Sequence, residues 1–378
     1  MNSKIWLSSP HMGGTELKYI NDAFEQNWIA PLGPNVNGFE HDLENYLGND
    51  SIVAALISGT AALHLALIIL KVKRGDEVFC QTMTFAASAN PIAYVGAKPV
   101  FIDSETDTWN MCPDALREAL QNRAIEGRLP KAVIVVHLYG MPAKMKELTE
   151  ICAEFNIPLL EDAAEALGSS YKGQNCGTFG QMAILSFNGN KIITTSGGGA
   201  LVTKSNHDKQ RAIFLSTQAR DQAPHYQHSE IGYNYRLSNI AAGIGRGQME
   251  VLTNRVNARR KNHQFYLELF KDIKGIDVLT EPSADFFSNY WLSAITVNSQ
   301  ITGFDIEDLR KSFTLDNIEC RPLWKPMHMQ PVFENCAYFG DDNVAEKLFK
   351  TGLCLPSGSN LTDQDRERIV TIFNKVLV

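Results

Sequence analysis

The chain has no paired-cysteine pattern. Its seven cysteines (Cys80, Cys112, Cys152, Cys176, Cys320, Cys336 and Cys354) are odd in number and scattered, with no CxxC. A disulfide framework or a zinc ribbon is thereby excluded, and a reducing compartment, the cytoplasm, is expected. No long basic run occurs either. Lys and Arg number 35 against 42 Asp and Glu, a net charge of −7, so nucleic acid is not expected as a main partner. Nowhere does an apolar stretch approach the roughly 20 residues of a membrane helix, and Met1–Trp6 lacks the apolar core of a signal peptide. No membrane association is expected. Repeats, low-complexity tracts, coiled-coil heptads and a GxGxxG fingerprint are all missing. His225 and His228 stand three apart without a third ligand nearby, so no metal site is expected.

Between about residues 50 and 205, short apolar runs alternate with helical patterns. Ile52–Ile57, Glu77–Cys80, Pro99–Asp103, Ala132–His137 and Pro158–Glu161 read as strands, and Thr60–Lys71 as the first intervening helix. This order implies an α/β fold with a mainly parallel sheet covered on both faces. Ligands of such sheets lie beyond the carboxyl ends of the strands, the edge to which Asp162 and His137 belong. Residues 217–237 form a long aperiodic connection, and a long helix is expected from about Ser238 through Arg260. Thereafter short strands (Trp291–Val297) and helices (Ile306–Phe313, Asp363–Val376) indicate a smaller α+β unit. With 378 residues, 44% of them hydrophobic, two domains are expected: residues 1–250, with an N-terminal segment reaching the second unit, and residues 251–378.

The chemistry concentrates in two segments. Leu159-Leu160-Glu161-Asp162 is an apolar strand ending in an acid, and 29 residues after Asp162 an isolated Lys191 follows Ser186-Phe187-Asn188-Gly189-Asn190. A lysine amine and a strand-end aspartate suit pyridoxal phosphate: the amine forms a Schiff base with the aldehyde, and the carboxylate keeps the pyridine nitrogen protonated. A lone loop lysine is more often a solvated charge, and such an Asp an ordinary helix N-cap. Ser58-Gly59-Thr60-Ala61-Ala62 is a strand-to-helix turn of small residues, whose free N–H groups make a phosphate cradle. Ser186 offers a hydroxyl to the same phosphate, and Phe85 a ring to cover the pyridine. The run Gly197-Gly198-Gly199 is expected to use positive φ near the ligand.

Ser58-Gly-Thr-Ala-Ala-Leu-His64, Thr84-Phe-Ala-Ala-Ser88, His137-Leu-Tyr-Gly140, Glu161-Asp-Ala-Ala-Glu165, Ser186-Phe-Asn-Gly-Asn-Lys191, Gly232-Tyr-Asn-Tyr-Arg236 and Pro326-Met-His-Met-Gln330 together resemble the DegT/DnrJ/EryC1 family. Its members are pyridoxal phosphate-dependent nucleotide-sugar aminotransferases of the fold-type I, aspartate aminotransferase-like class. The likeness runs nearly end to end. It implies a large mixed, mainly parallel sheet domain and a small α+β C-terminal domain. Pro10-His-Met-Gly-Gly14 and the stretch after Asn188 are most similar to the bacillosamine-pathway branch, which aminates UDP-2-acetamido-2,6-dideoxy-α-D-xylo-hexos-4-ulose at C4.

Carried over by position, the resemblance implies Lys191 as the Schiff-base lysine and Asp162 as the ring-nitrogen partner. Thr60, Ala61 and Ser186 would hold the phosphate, and Phe85 would stack on the ring. Glu165 stands where relatives place Gln or His near the cofactor hydroxyl. Asn234 would reach the neighbouring subunit's cofactor phosphate, implying a homodimer with shared sites. Asn188, Lys325 and His328 are candidates for the sugar and its diphosphate. L-Glutamate would be the amino donor, and a UDP-linked 4-keto sugar the acceptor. A GDP-4-keto-6-deoxymannose (perosamine-type) or dTDP-keto-sugar substrate is the alternative. The dehydratases of the superfamily carry His in place of the lysine, and a non-catalytic relative would have lost Lys or Asp; Lys191 and Asp162 speak against both.

Overall fold

The computed structural model describes residues 2–377. Eight strands form its main sheet: β1 (Ile52–Leu56), β2 (Glu77–Gln81), β3 (Lys98–Ile102), β4 (Ala132–Val136), β5 (Leu159–Asp162), β6 (Met182–Ser186), β7 (Gly199–Thr203) and, far along the chain, Ala337–Phe339. A four-stranded sheet is made by β8 (Ile276–Val278), β9 (Ser293–Val297), β10 (Arg321–Pro322) and β12 (Gly352–Leu355), so Ala337–Phe339 is β11. The order in the main sheet is β1-β7-β6-β5-β4-β2-β3-β11. Neighbours from β6 through β11 are parallel, while β7 runs antiparallel to both β6 and β1.

The β-branched runs explain this sheet. All five residues of β4, Ala-Val-Ile-Val-Val, are buried, as expected for a strand covered on both faces. Ala132 and Ile134 join the core under the helices Gly59–Ile69, Ala86–Tyr94 and Asn206–Ser216. Val133 and Val135 face the opposite core with Leu116, Leu120, Leu148 and Ile151, from the helices Pro113–Ile125 and Met145–Glu154. The parallel strands therefore end at one edge, where Leu56, Gln81, Asp162 and Ser186 lie together.

The structure adds detail to the sequence reading in three places. The helix from Ser238 is two helices, Asn239–Met249 and Leu252–Phe270, and the second extends past Arg260. The break at Glu250-Val251 is fixed from the N-terminal segment. Glu250 accepts hydrogen bonds from Thr15 Oγ1 (2.8 Å) and Tyr19 Oη (2.7 Å), and Val251 lies against Gly13. The 217–237 connection is pinned at its ends by Thr217–Asn234 and Leu56–Arg236 bridges, and residues 224–231 between them are exposed. Finally, residues 251–378 do not form a closed unit. β11 extends the main sheet beside β3, and Phe286 pairs with Tyr171. The N-terminal segment makes the converse crossing: Ile5 bridges Ile318 and is buried with Tyr266, Phe313 and Phe373. Among the described residues, no helix is long and apolar enough to cross a membrane.

Candidate active site

At the carboxyl edge of the main sheet lies a cavity of about 580 Å³. It is lined from the large sheet by Ser58, Gly59, Thr60, Phe85, Ser88, Asp162, Glu165, Ser186, Asn188 and Lys191. From elsewhere it receives Leu7, Ser8, Trp291, Glu319, Arg321 and Trp324.

Its phosphate-binding end follows from local chain geometry. β1 stops at Leu56, and Ser58 caps the Gly59–Ile69 helix, its Oγ accepting the Ala61 N–H at 3.0 Å. The N–H groups of Gly59 and Thr60 donate to no protein acceptor among the described residues. Free N–H groups at a helix N-terminus favour an anion through both hydrogen bonding and the helix dipole. Ala61 stands apart from these two: its N–H is taken by Ser58, and it does not line the cavity. The glycine run is corrected. None of Gly197, Gly198 and Gly199 has positive φ; Ser196, before them, does, at 73°. Glycine at 199 instead permits close approach, because a Cβ there would overlap the Ser58 carbonyl carbon and the Gly59 nitrogen. Gly199 pairs with both Leu56 and Ser186, so this contact sets the phosphate turn against the end of β6.

Asp162 ends β5 and is 6% exposed. Ser88 Oγ donates to its Oδ2 at 2.5 Å, and the Ala164 N–H to its Oδ1 at 3.1 Å. Ser88 is itself linked to Thr84 Oγ1 at 2.6 Å. Behind Asp162, the enclosed Glu161 accepts from His137 Nε2 and from the N–H groups of Gly177, Phe179 and Gly180, at 2.7–3.0 Å. His137 Nδ1 accepts the Ala143 N–H at 3.1 Å, so its proton is on Nε2. This network fixes the β4 and β5 ends beneath the cavity; His137 does not reach it.

Lys191 sits in the turn after β6, its Nζ 3.4 Å from Glu165 Oε1 and 4.1 Å from the centre of the Trp291 ring. Two donors converge on the Asn190 carbonyl and hold this turn: Ser8 Oγ at 2.6 Å and Trp291 Nε1 at 2.7 Å. The fully buried Arg259 steadies that pair, donating to the Trp291 carbonyl and to Ser8 Oγ. Glu165 Oε2 accepts the Tyr139 N–H at 2.6 Å. Tyr139, buried and non-glycine, has φ 56°, a conformation costing on the order of 1–3 kcal/mol that aims this N–H at the carboxylate. Phe85 lies on the cavity wall, half-exposed and tilted against Trp324 at 5.6 Å.

Not every expected residue arrives here. Lys325 and His328 do not line the cavity. Both His328 ring nitrogens are engaged, Nδ1 with Thr82 Oγ1 at 2.7 Å and Nε2 with Glu346 at 3.3 Å, and the ring stacks on Tyr338. His328 is thus packed against its neighbours in the short helix Met327–Met329, and the structure does not bring it or Lys325 to the cavity. Besides Lys191, the cavity wall among the described residues carries Arg321, paired with Glu319 at 2.8 Å. Asn234 is exposed and lies away from its own chain's cavity. The sequence reading missed Arg321, Trp291, Trp324 and the anchoring role of Ser8. All lie 100 or more residues from Lys191 along the chain, with no shared motif to connect them.

The residues present fit pyridoxal phosphate: two unpaired N–H groups beside the Ser186 hydroxyl, an ordered carboxylate on a strand end, and a lysine amine enclosed with them. A family model described as the DegT/DnrJ/EryC1/StrS aminotransferase family matches residues 10–374. The chain belongs to this family. EpsN of Bacillus subtilis (strain 168), provisionally named a pyridoxal phosphate-dependent aminotransferase, is 52% identical over 375 residues, covering 98% of this chain and 95% of that protein. A GDP-perosamine synthase of Escherichia coli O157:H7 is 35% identical, covering 95% of each chain. The crystal structure of the aminotransferase TlmJ from Streptoalloteichus hindustanus superposes with a TM-score of 0.90 at 28% identity over 99% of each chain. The chain is thus an enzyme, a pyridoxal phosphate-dependent nucleotide-sugar aminotransferase.

Proposed function

We propose that the enzyme moves the amino group of L-glutamate to C4 of UDP-2-acetamido-2,6-dideoxy-α-D-xylo-hexos-4-ulose, giving a UDP-4-amino sugar, and works as a homodimer with shared active sites. The observation that carries the sugar assignment is the meeting of the two bacillosamine-like stretches at the cavity. Pro10 packs against Gly189, and Ser8 Oγ bonds the Asn190 carbonyl beside Lys191. The second stretch lends Asn188, Asn190 and Lys191 to the cavity, and Pro10 of the first backs it at Gly189; Asn188 is the residue proposed to face the sugar.

In this reading Lys191 holds the cofactor aldehyde. Its amine, when free, would be the base that moves the proton at the donor α-carbon. Bound pyridoxal phosphate supplies the electron sink for that proton's departure. Asp162, oriented by Ser88 and the Ala164 N–H, keeps the ring nitrogen protonated. Gly59, Thr60 and Ser186 hold the phosphate, and Phe85 covers the ring. The sugar ketone then accepts the amino group in the reverse sequence, giving ping-pong kinetics. Arg321, also at the cavity, supplies positive charge for an anionic substrate group. Asn234, turned outward from its own cavity, supports a contribution to a second copy's site.

The test is turnover of purified enzyme with L-glutamate and a panel of UDP-, GDP- and dTDP-linked 4-keto sugars. The expected outcome is 4-amination of the UDP sugar, abolished by Lys191→Ala. A preference for GDP-4-keto-6-deoxymannose would overturn the UDP assignment in favour of the perosamine type, the second reading that the GDP-perosamine synthase likeness supports.

A further inference from the structure

Glu161 and Glu165 are both enclosed carboxylates flanking Asp162, yet they are furnished unequally. Glu161 receives four hydrogen-bond donors. Glu165, 3% exposed, receives one backbone N–H, from Tyr139, and its other oxygen faces only Lys191 Nζ, at 3.4 Å. One lysine therefore stands against two carboxylates, Asp162 and Glu165, at a single cavity floor. The other groups around Glu165 supply no positive charge. Burial pushes the Tyr139 phenol and the Cys354 thiol upward, leaving both neutral near pH 7. The Asn289 amide donates to the backbone carbonyl of Glu165, not to its carboxylate, and His137 is committed to Glu161. A buried pair of carboxylates sharing one cation relieves the surplus negative charge by taking up a proton.

We propose that Glu165 works as a neutral carboxylic acid whose O–H donates to the bound cofactor, and that its ionisation loosens the cofactor. Burial pushes this carboxyl up to about 7, opposed by Lys191 and the Tyr139 N–H and reinforced by Asp162. A protonated Glu at this position offers a donor, as the Gln or His of relatives does, but one that rising pH switches off. Oε2 remains held by Tyr139, so the acid proton belongs on Oε1, the oxygen turned toward Lys191. The inference extends the reading of Lys191 and Asp162 as cofactor residues.

Two measurements on the full-length protein test it. In the cofactor-free enzyme, the infrared difference between pH 5.5 and 8.5 should contain a carboxylic acid C=O band that is lost with a midpoint near 7 and is absent from Glu165→Gln. In equilibrium titrations with pyridoxal phosphate, wild-type affinity relative to Glu165→Gln should fall at least tenfold across the same window; taking the ratio removes the titration of the cofactor itself. A wild-type spectrum without that band, a band that persists in the variant, or a flat affinity ratio overturns the proposal. Circular dichroism screens the variant for folding, and Glu165→Ala gives the same infrared subtraction should the Gln chain fail to fold. The infrared arm needs no cofactor, so its outcome is separate from that of Lys191→Ala, which tests the functional reading.

Discussion

Removing one hydroxyl, that of Ser88, should weaken the site without touching any group that meets substrate. Ser88 Oγ donates to Asp162 Oδ2 at 2.5 Å, and the only other protein donor to that carboxylate among the described residues is the Ala164 N–H. A hydrogen bond to a charged group contributes about 1.5–3 kcal/mol. Asp162 is 6% exposed, so water is poorly placed to replace the lost donor. Ser88→Ala should therefore cost about 1.5–3 kcal/mol in whatever state requires the Asp162 anion. If Asp162 holds the ring nitrogen, that cost falls largely on the cofactor-bound state, equivalent to roughly a 10- to 100-fold loss of pyridoxal phosphate affinity. The measurement is an equilibrium cofactor titration by absorbance, paired with denaturant unfolding of the cofactor-free chain. Thr84, left without its partner, still faces the cavity and can turn its hydroxyl to solvent. If Ser88→Ala binds the cofactor within twofold of wild type and unfolds within about 0.5 kcal/mol of it, the hydrogen-bonded account of Asp162 is wrong.

Further outcomes follow from the same contacts. Gly199→Ala should abolish cofactor binding or lower stability by several kcal/mol, since its Cβ would meet the backbone of Ser58 and Gly59, which has no room to yield; thermal unfolding and absorbance read both effects. Asn234→Ala should weaken cofactor retention without changing circular dichroism, because the residue is exposed on its own chain; a monomer with full activity in dilute solution would contradict the shared site. Glu165 makes stability depend on pH. Its folded-state value, about 7, lies above the ordinary 4.5, so its contribution is full below pH 4.5 and is lost as pH rises through 7. The loss is on the order of 3 kcal/mol, and Glu165→Gln, compared by urea unfolding of cofactor-free protein at pH 5 and 8, should not show it.

Five strands of the large sheet were legible because each carries a short apolar run between helical patterns, with Asp162 closing one of them. Lys191 was legible from its isolation in a polar turn between strand and glycine run. The purpose of that run was not. Positive φ and close backbone approach both demand glycine, and only the register of β7 between β1 and β6 distinguishes them. The surroundings of His328 were hidden for a related reason: a histidine beside a lysine and a proline reads as a polar rim, while Thr82, bonded to its ring, lies 246 residues away. The helix break at Glu250-Val251 has no Pro or Gly to announce it, because it is imposed by Gly13, Thr15 and Tyr19.

The first dozen residues have a bearing on when the catalytic cavity comes into being. Leu7 and Ser8 form part of its wall, yet Ile5 is paired with Ile318, the Leu7 carbonyl accepts the Ser357 N–H, and Ser9 is bonded to Asn360. This segment thus waits for partners synthesised more than 300 residues after it. The phosphate turn, Asp162 and Lys191 all lie within residues 58–199 and belong to contiguous sheet elements. The wall facing the second substrate closes only when chain separated by more than 300 residues is brought together, the slow kind of contact. A ribosome-bound intermediate would have the ingredients of a cofactor cradle well before it had an enclosed chamber, so cofactor capture and substrate selectivity belong to different moments in the life of the chain.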